Sequence, residues 1–209
     1  LSEKLREAKE YDESKGRDAK KAAIAEMLDK KMPLFAVAKT PMEVHSLLHV
    51  TEGYDIDLVI ASGYGLQDCE EEILKRRPSI ISSVSVDGFN TYAQSGDNEL
   101  LYRLHKQGIH VALASNVDGT MCSREEVLWN GLDMYKACHD EEAVISMMSY
   151  ASAKILGIDS ITGSLEEGKR ADLTIYSDHP ILTFQAQLQL TLSNGRAIYR
   201  KGDEMKCFI

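Results

Sequence analysis

Between Pro33 and Cys138 a strand-sized apolar run followed by a helical segment occurs four times in series, and this rhythm restricts the fold more than any other feature. "PLFAVA" precedes a helix from about Met42 to Glu52, and "DLVIAS" precedes a helix through "DCEEEILKR". "SIISSVSV" then leads to "NELLYRLHKQG", and "HVALAS" leads to "REEVLWNGLDMYKAC". The longest apolar runs do not alternate with polar residues, which is the pattern of strands buried on both faces. Strand–helix units in series imply a parallel sheet with right-handed crossovers. Four such units amount to half of an eight-stranded α/β barrel, and a small doubly wound sheet is the alternative.

The flanking segments differ in kind. "SEKLREAKEYDES" and "DAKKAAIAEMLDKK" are polar and helical in period, with "SKG" as the break, so they are expected to cover something rather than to form a core. "HDEEAVISMMSYASAKILG" reads as one helix, capped by Asp140, acidic in its first turn and stopped by Gly157. After Gly163 the period becomes that of strands: "ADLTIYS", "LQLTLSNG" and "RAIYRKG" alternate, and Asn194–Gly195 is a two-residue hairpin signal. A β appendage therefore follows the α/β part.

At 209 residues the chain can build one sizeable core or part of a larger molecule, but not a complete eight-stranded barrel with a second domain. It opens on Leu1 inside a helical pattern, from which we expect an upstream part. The net charge is −9 and the Lys and Arg are scattered or locally paired with acids, so no basic stripe offers itself to a phosphate backbone and nucleic acid is not an expected partner. The apolar runs fall short of the roughly 20 residues of a membrane helix, so no membrane partner is expected either. Cys69, Cys122, Cys138 and Cys207 lack tight pairing, which favours free thiols and a cytoplasmic location. The sequence contains no Gly-rich phosphate loop or nucleophile elbow, and no Cys–His pair that argues for a catalytic thiol.

"ASAKILGIDSITGSLEEGKRADLTIYSDHPI" followed by "LSNGRAIYRKG" resembles the C-terminal region of the amidohydrolase superfamily, especially its imidazolonepropionase-like members. Gly163, Gly168, Lys169, Ala171, Asp172 and Leu173 fall in register with the family pattern. The resemblance implies an α/β fold: the C-terminal half of a (β/α)8 TIM-like barrel, strands five to eight, followed by strands of a small β-sandwich. On that basis residues 1–32 form a helical N-terminal segment, 33–160 the barrel units and 161–209 the sandwich portion. None of the tail residues performs chemistry; they serve turns, strand edges and packing.

Function in that family rests on a metal that lowers the pKa of a bound water and polarises a carbonyl, with an Asp accepting the proton. The resemblance implies a His-x-His pair on the first strand, a Lys, Glu or His on strand four or five, a His on strand six and an Asp on strand eight. No His-x-His occurs here. Val37 and Lys39 stand where relatives read His-Ala-His, Ser62 replaces the His before a Gly, and Ser115–Asn116 replaces Thr–Asp. Lys39 could ligate only if carboxylated, and Asp118 takes the Asp role only if the alignment slips by two residues. The pairs His45/His49 and His105/His110, and His179 alone, are expected in helix-face, N-terminal-rim and turn positions.

Two readings follow. The first is a non-catalytic amidohydrolase-like protein, with no metal cofactor and a rim of Lys39, Ser62, Ser83, Asn116 and Asp118 suited to a small polar ligand. The alternative is a zinc-dependent hydrolase of the C–N bonds of cyclic amides. Under either, the chain is expected to pack against the remainder of a barrel, from upstream sequence or another subunit.

Overall fold

A computed structural model describes residues 1–12, 14, 16, 18–61, 65–82, 97–114 and 126–203. Helices α1 (Ser2–Lys9) and α2 (Ala19–Leu28) come first. Strands β1 (Leu34–Val37), β2 (Leu58–Ala61), β3 (Ser79–Ser82) and β4 (Val111–Leu113) then alternate with α3 (Pro41–Val50), α4 (Glu70–Arg76), α5 (Asn98–Lys106) and α6 (Glu126–Cys138). The rest of "SIISSVSV" lies outside the described residues. Helices α7 (Glu141–Met148) and α8 (Tyr150–Ile155) lead to β5 (Leu173–Tyr176), β6 (Leu188–Ser193) and β7 (Arg196–Arg200).

The first four strands pair in parallel in the order β1-β2-β3-β4. A doubly wound sheet reverses its order at a switch point, so the sequential order sets that alternative aside for the described strands. Alternation along each strand assigns the side chains to two layers. Leu58, Ile60, Ile80, Val111 and Leu113 join Val44 and Leu48 of α3, Ile73 of α4, Leu101 and Leu104 of α5 and Met134 of α6 in the main core. Burying each Leu, Ile or Met contributes roughly 1.5–3 kcal/mol, so this layer is the chief source of stability. On the opposite face Val59 and Ala112 pack on Ile155 of α8, with Ile81 against them. At the β1 edge that face is open: Phe35 is 47% and Val37 71% exposed.

Local chemistry explains the element ends. Thr40 and Glu43 form a reciprocal capping box at α3, with Pro41 at its first turn. Asp97 caps α5 by accepting from the Leu100 N–H. The charges of α4 do not pair along their own helix as its sequence spacing implies; Arg103 reaches Glu70 at 3.0 Å, Lys75 reaches Glu52, and Arg76 donates to the Thr51 and Tyr54 carbonyls. The expected polar cover at the N-terminus builds a small core of its own, since Leu5 and Met27 are buried against Ile56. The single helix expected over 140–157 is two helices. They break at Ser149 (φ −128°, ψ −74°), whose hydroxyl donates to the Ile145 carbonyl at 2.6 Å, a bond that competes with the helix ladder.

The last three strands form one antiparallel sheet, β5-β6-β7, turned at Asn194 and Gly195, both at positive φ. The segment that leads into it packs closely on α8: a Cβ on Gly163 would lie 2.5 Å from that of Ala153. Lys154 pairs with Asp159 at 2.6 Å, and Lys154 and Lys169 both lie over the Tyr150 ring. Among the described residues no helix is long and apolar enough to cross a membrane.

Asp140 joins α5 to α7. It caps α7 through the Ala143 N–H at 3.0 Å and accepts from Tyr102 Oη at 2.9 Å and Lys106 Nζ at 3.3 Å. The Ala143 N–H, then the Tyr102 hydroxyl, hold its carboxyl below the ordinary Asp value. Its folded pKa is therefore depressed, so its contribution is full above the unfolded value and is lost as pH falls through the folded one. Asp140→Ala is expected to cost about 1 kcal/mol in urea unfolding at pH 7. The difference from the parent should shrink in acid, below the unfolded Asp value.

Candidate functional site

The C-terminal ends of β1 to β4 gather at one rim of the sheet, the edge where α/β folds place reactive groups. From β1 the chain passes through Ala38, buried and donating its N–H to the Ala61 carbonyl at 3.4 Å, into Lys39. The Lys39 side chain is exposed, while its N–H and that of Thr40 donate to Glu43 Oε2 at 2.7 and 3.1 Å. The Lys39 N–H is the main reason the Glu43 carboxyl lies below its ordinary pKa. Glu43 is thus an ionised cap and a poor proton acceptor.

After β2 the backbone returns at Gly65 (φ +72°), so close to α3 that a Cβ would lie 2.5 Å from the Pro41 nitrogen. Only glycine fits there without displacing backbone. At the ends of β3 and β4, the Ala114 N–H donates to the Ser82 carbonyl at 2.9 Å, and the Ala114 carbonyl accepts from Asn130 Nδ2 at 2.7 Å. Ser82 and Asn130 are buried. Sequence reasoning missed both, although an Asn followed by Gly inside the apolar helix "VLWNGLDM" is a poor helix-forming pair that signals a specific contact.

Among the candidates read from sequence, Lys39 is placed at this rim, whereas Ser62, Ser83, Asn116 and Asp118 lie outside the described residues. Val37 ends β1 with its side chain on the open face. The histidines serve other ends. His45 Nδ1 lies 2.9 Å from Glu72, and His49 Nδ1 3.8 Å from Glu52, both on the surface. His179 Nδ1 accepts from the Ile181 and Leu182 N–H groups and so organises its turn. Burial first, and neighbouring cations second, push His105 and His110 below the usual imidazole value. Cys69 and Cys138 are free thiols, both pushed up first by burial. Among the described residues no group of three or more His, Cys, Asp or Glu is placed to hold a metal ion.

A cleft of about 580 Å³ lies at the opposite end, where the strands begin, lined by Lys30, Asp55, Asp57, Arg77, His110 and Lys154 among others. Its charges are largely spent within the protein: Lys30 pairs with Asp55 at 2.7 Å, Lys154 with Asp159, and Arg77 donates to the Gln107 carbonyl. It is far from the strand ends where the sequence places its candidates.

The family model described as "Amidohydrolase family" matches residues 6–198. The chain belongs to the amidohydrolase family. Its fold resembles an amidohydrolase from Thermotoga maritima MSB8 with a TM-score of 0.82, 20% identity, and coverage of 96% of this chain and 55% of that one. E. coli guanine deaminase aligns at TM-score 0.58 and 19% identity, over 88% of this chain and 52% of that one. An adenosine deaminase from Xanthomonas campestris, with bound zinc, aligns at TM-score 0.59 and 14% identity over 87% and 48%. This amidohydrolase-family chain thus spans about half the length of the solved structures it matches. No curated protein matches it in sequence.

The contact at Gly65 fixes how the first two rim segments meet. Gly65→Ala is expected to cost about 2 kcal/mol or more, because a left-handed backbone and a backbone clash add. Gly53→Ala, at φ +82° with nothing within 4 Å, is the control. It should cost about 1 kcal/mol, from conformation alone. Thermal unfolding of the two variants side by side checks the order.

Proposed function

We propose that this chain is the C-terminal half of an amidohydrolase-type barrel that does not hold the family's metals and acts as a scaffold or small-ligand binder without hydrolytic turnover. The observation that carries this reading is Val37. It ends β1 at the rim and directs an isopropyl group, 71% exposed, to the face away from the helices, where the resemblance asks for a His ligand. An isopropyl group has no lone pair to offer a metal. Ser62 and Asn116, in place of the His and Asp that the resemblance implies, weaken the ligand set further. These residues do not fit a metal centre.

The groups that the sequence offers after the strands are one cation, Lys39, one carboxylate, Asp118, and the neutral Ser62, Ser83 and Asn116. Such a set suits direct hydrogen bonding to a small polar ligand. It is poor machinery for amide hydrolysis, since it contains neither a Lewis acid nor a strong base. The competing reading, a metal-dependent hydrolase of C–N bonds, draws on the deaminases among the similar folds and on Asp118 standing two residues beyond Asn116. Elemental analysis after dialysis separates the two. We expect no retained zinc or iron; near-stoichiometric metal would favour the hydrolase. Asn116→Asp alone is expected to leave hydrolysis of a dihydropyrimidine, hydantoin or imidazolone undetectable, because a carboxylate without the His ligands cannot assemble the site.

We place the functional division at 1–32, 33–160 and 161–209, as helical segment, barrel units and sandwich strands. The remainder of the barrel would pair with the outer edges of β1 and β4 and cover Phe35 and Val37, supplied by upstream sequence or another subunit. The row Val37, Ala61, Ile81, Ala112, in register across the sheet, is compact and apolar, as a barrel interior demands. Sedimentation and dye binding of the isolated 209-residue chain check this. Self-association or exposed apolar surface is expected; a compact monomer that binds no dye would count against the reading.

A further inference from the structure

Two buried polar atoms at the end of the parallel sheet have no partner. Ser82 is 0% and Asn130 2% exposed, and neither Ser82 Oγ nor Asn130 Oδ1 meets a hydrogen-bonding group among the described residues. They flank one residue: the Ala114 N–H donates to the Ser82 carbonyl at 2.9 Å, and the Ala114 carbonyl accepts from Asn130 Nδ2 at 2.7 Å. Both side chains lie on the helix side of the sheet. Ser82 shares its face with Ile80 and stands opposite Leu113, both in the core layer beneath the helices. Asn130 is on the buried face of α6.

We propose that a single buried water bridges Ser82 Oγ and Asn130 Oδ1, tying β3 to α6 around Ala114. The amide orientation is fixed, because the reverse would set Oδ1 against the Ala114 carbonyl at 2.7 Å, acceptor against acceptor. Oδ1 is therefore an acceptor in need of a donor, and the Ser82 hydroxyl can donate or accept. The two atoms do not bond to each other, yet each belongs to a residue bonded to Ala114, which is the setting for a bridging molecule with two donors and an acceptor. Leaving a buried polar group unsatisfied costs more than immobilising one water. Buried waters take such orphaned groups as their partners. The water would brace Ala114, the last described residue before the segment that carries Asn116 and Asp118. The proposal does not depend on whether that segment binds a ligand.

A crystal structure of the full chain at a resolution that orders solvent is the direct test. Density within hydrogen-bonding reach of both atoms is expected; an empty site, or a protein group bonded to either atom, would overturn the proposal. Ser82→Ala offers a second route with opposite signs. A bridged hydroxyl, once removed, should raise the unfolding equilibrium constant about fivefold, the worth of one hydrogen bond. In an Asn130→Ala background, where the bridge is already broken, the effect should shrink. If Ser82→Ala is neutral or stabilising in both backgrounds, the hydroxyl is a true orphan and no water bridges it.

Discussion

Parallel pairing is the constraint to which the rest of this chain answers. A parallel strand cannot be followed by a tight turn, so each of β1 to β4 must be carried back to the starting edge by a crossover. The helices that do so pack on one face of the sheet, where Leu58, Ile60, Ile80, Val111 and Leu113 meet Val44, Ile73, Leu104 and Met134. The strand order follows the chain order, so no helix is sent to the second face in the manner of a doubly wound fold. That face is left to α8, which seals Val59 and Ala112 through Ile155 and leaves Phe35 and Val37 exposed. The same continuous apolar runs thus serve two layers, one complete and one part-covered.

Features set by a few neighbouring residues are legible in the amino-acid sequence. The strand–helix alternation is carried by periodicity, the start of α7 by Asp140 and the hairpin by Asn194–Gly195. Features settled by which side chain turns onto its own backbone, or by contacts between distant segments, are not. "EAVISMMSYASAKI" is helical in period throughout, and nothing local distinguishes Ser149 from Ser146 or Ser152; the break appears only when the Ser149 hydroxyl turns to the Ile145 carbonyl. The polar N-terminal helices conceal their apolar contribution, because Leu5 and Met27 matter only once Ile56 is brought beneath them. The acids of α4 are spaced for pairing along the helix, yet Glu70 and Glu72 answer to Arg103 and His45.

The candidate site is legible as a place more than as a set of contacts. Strand ends can be read from hydrophobic runs, and in a parallel sheet they all point to one edge, so Lys39 can be assigned to the rim from sequence alone. The capping box of Thr40 and Glu43, which fixes the backbone beneath it, is spelled out in "TPME" and easily overlooked. Ser82 and Asn130 are beyond reach for a different reason. Their burial depends on the distance between sheet and helix layers, which no single segment encodes.

The tail that marks the family and the rim that would carry its chemistry depend on separate interactions. The tail is held by the close approach of Gly163 to Ala153, by the Lys154–Asp159 pair and by Asp172, which accepts from the Asn194 N–H at 2.7 Å and from Arg170. None of these contacts involves a rim residue. At the rim, Val37 suits a strand at least as well as a histidine would, because β-branched side chains fit a pleated surface, and it stands in register beside Ala61. An apolar group at such a position is compatible with the fold whatever chemistry the rim carries. The family likeness of this chain is therefore a statement about its packing, and the reactive capacity of the rim has to be judged from the groups that stand there.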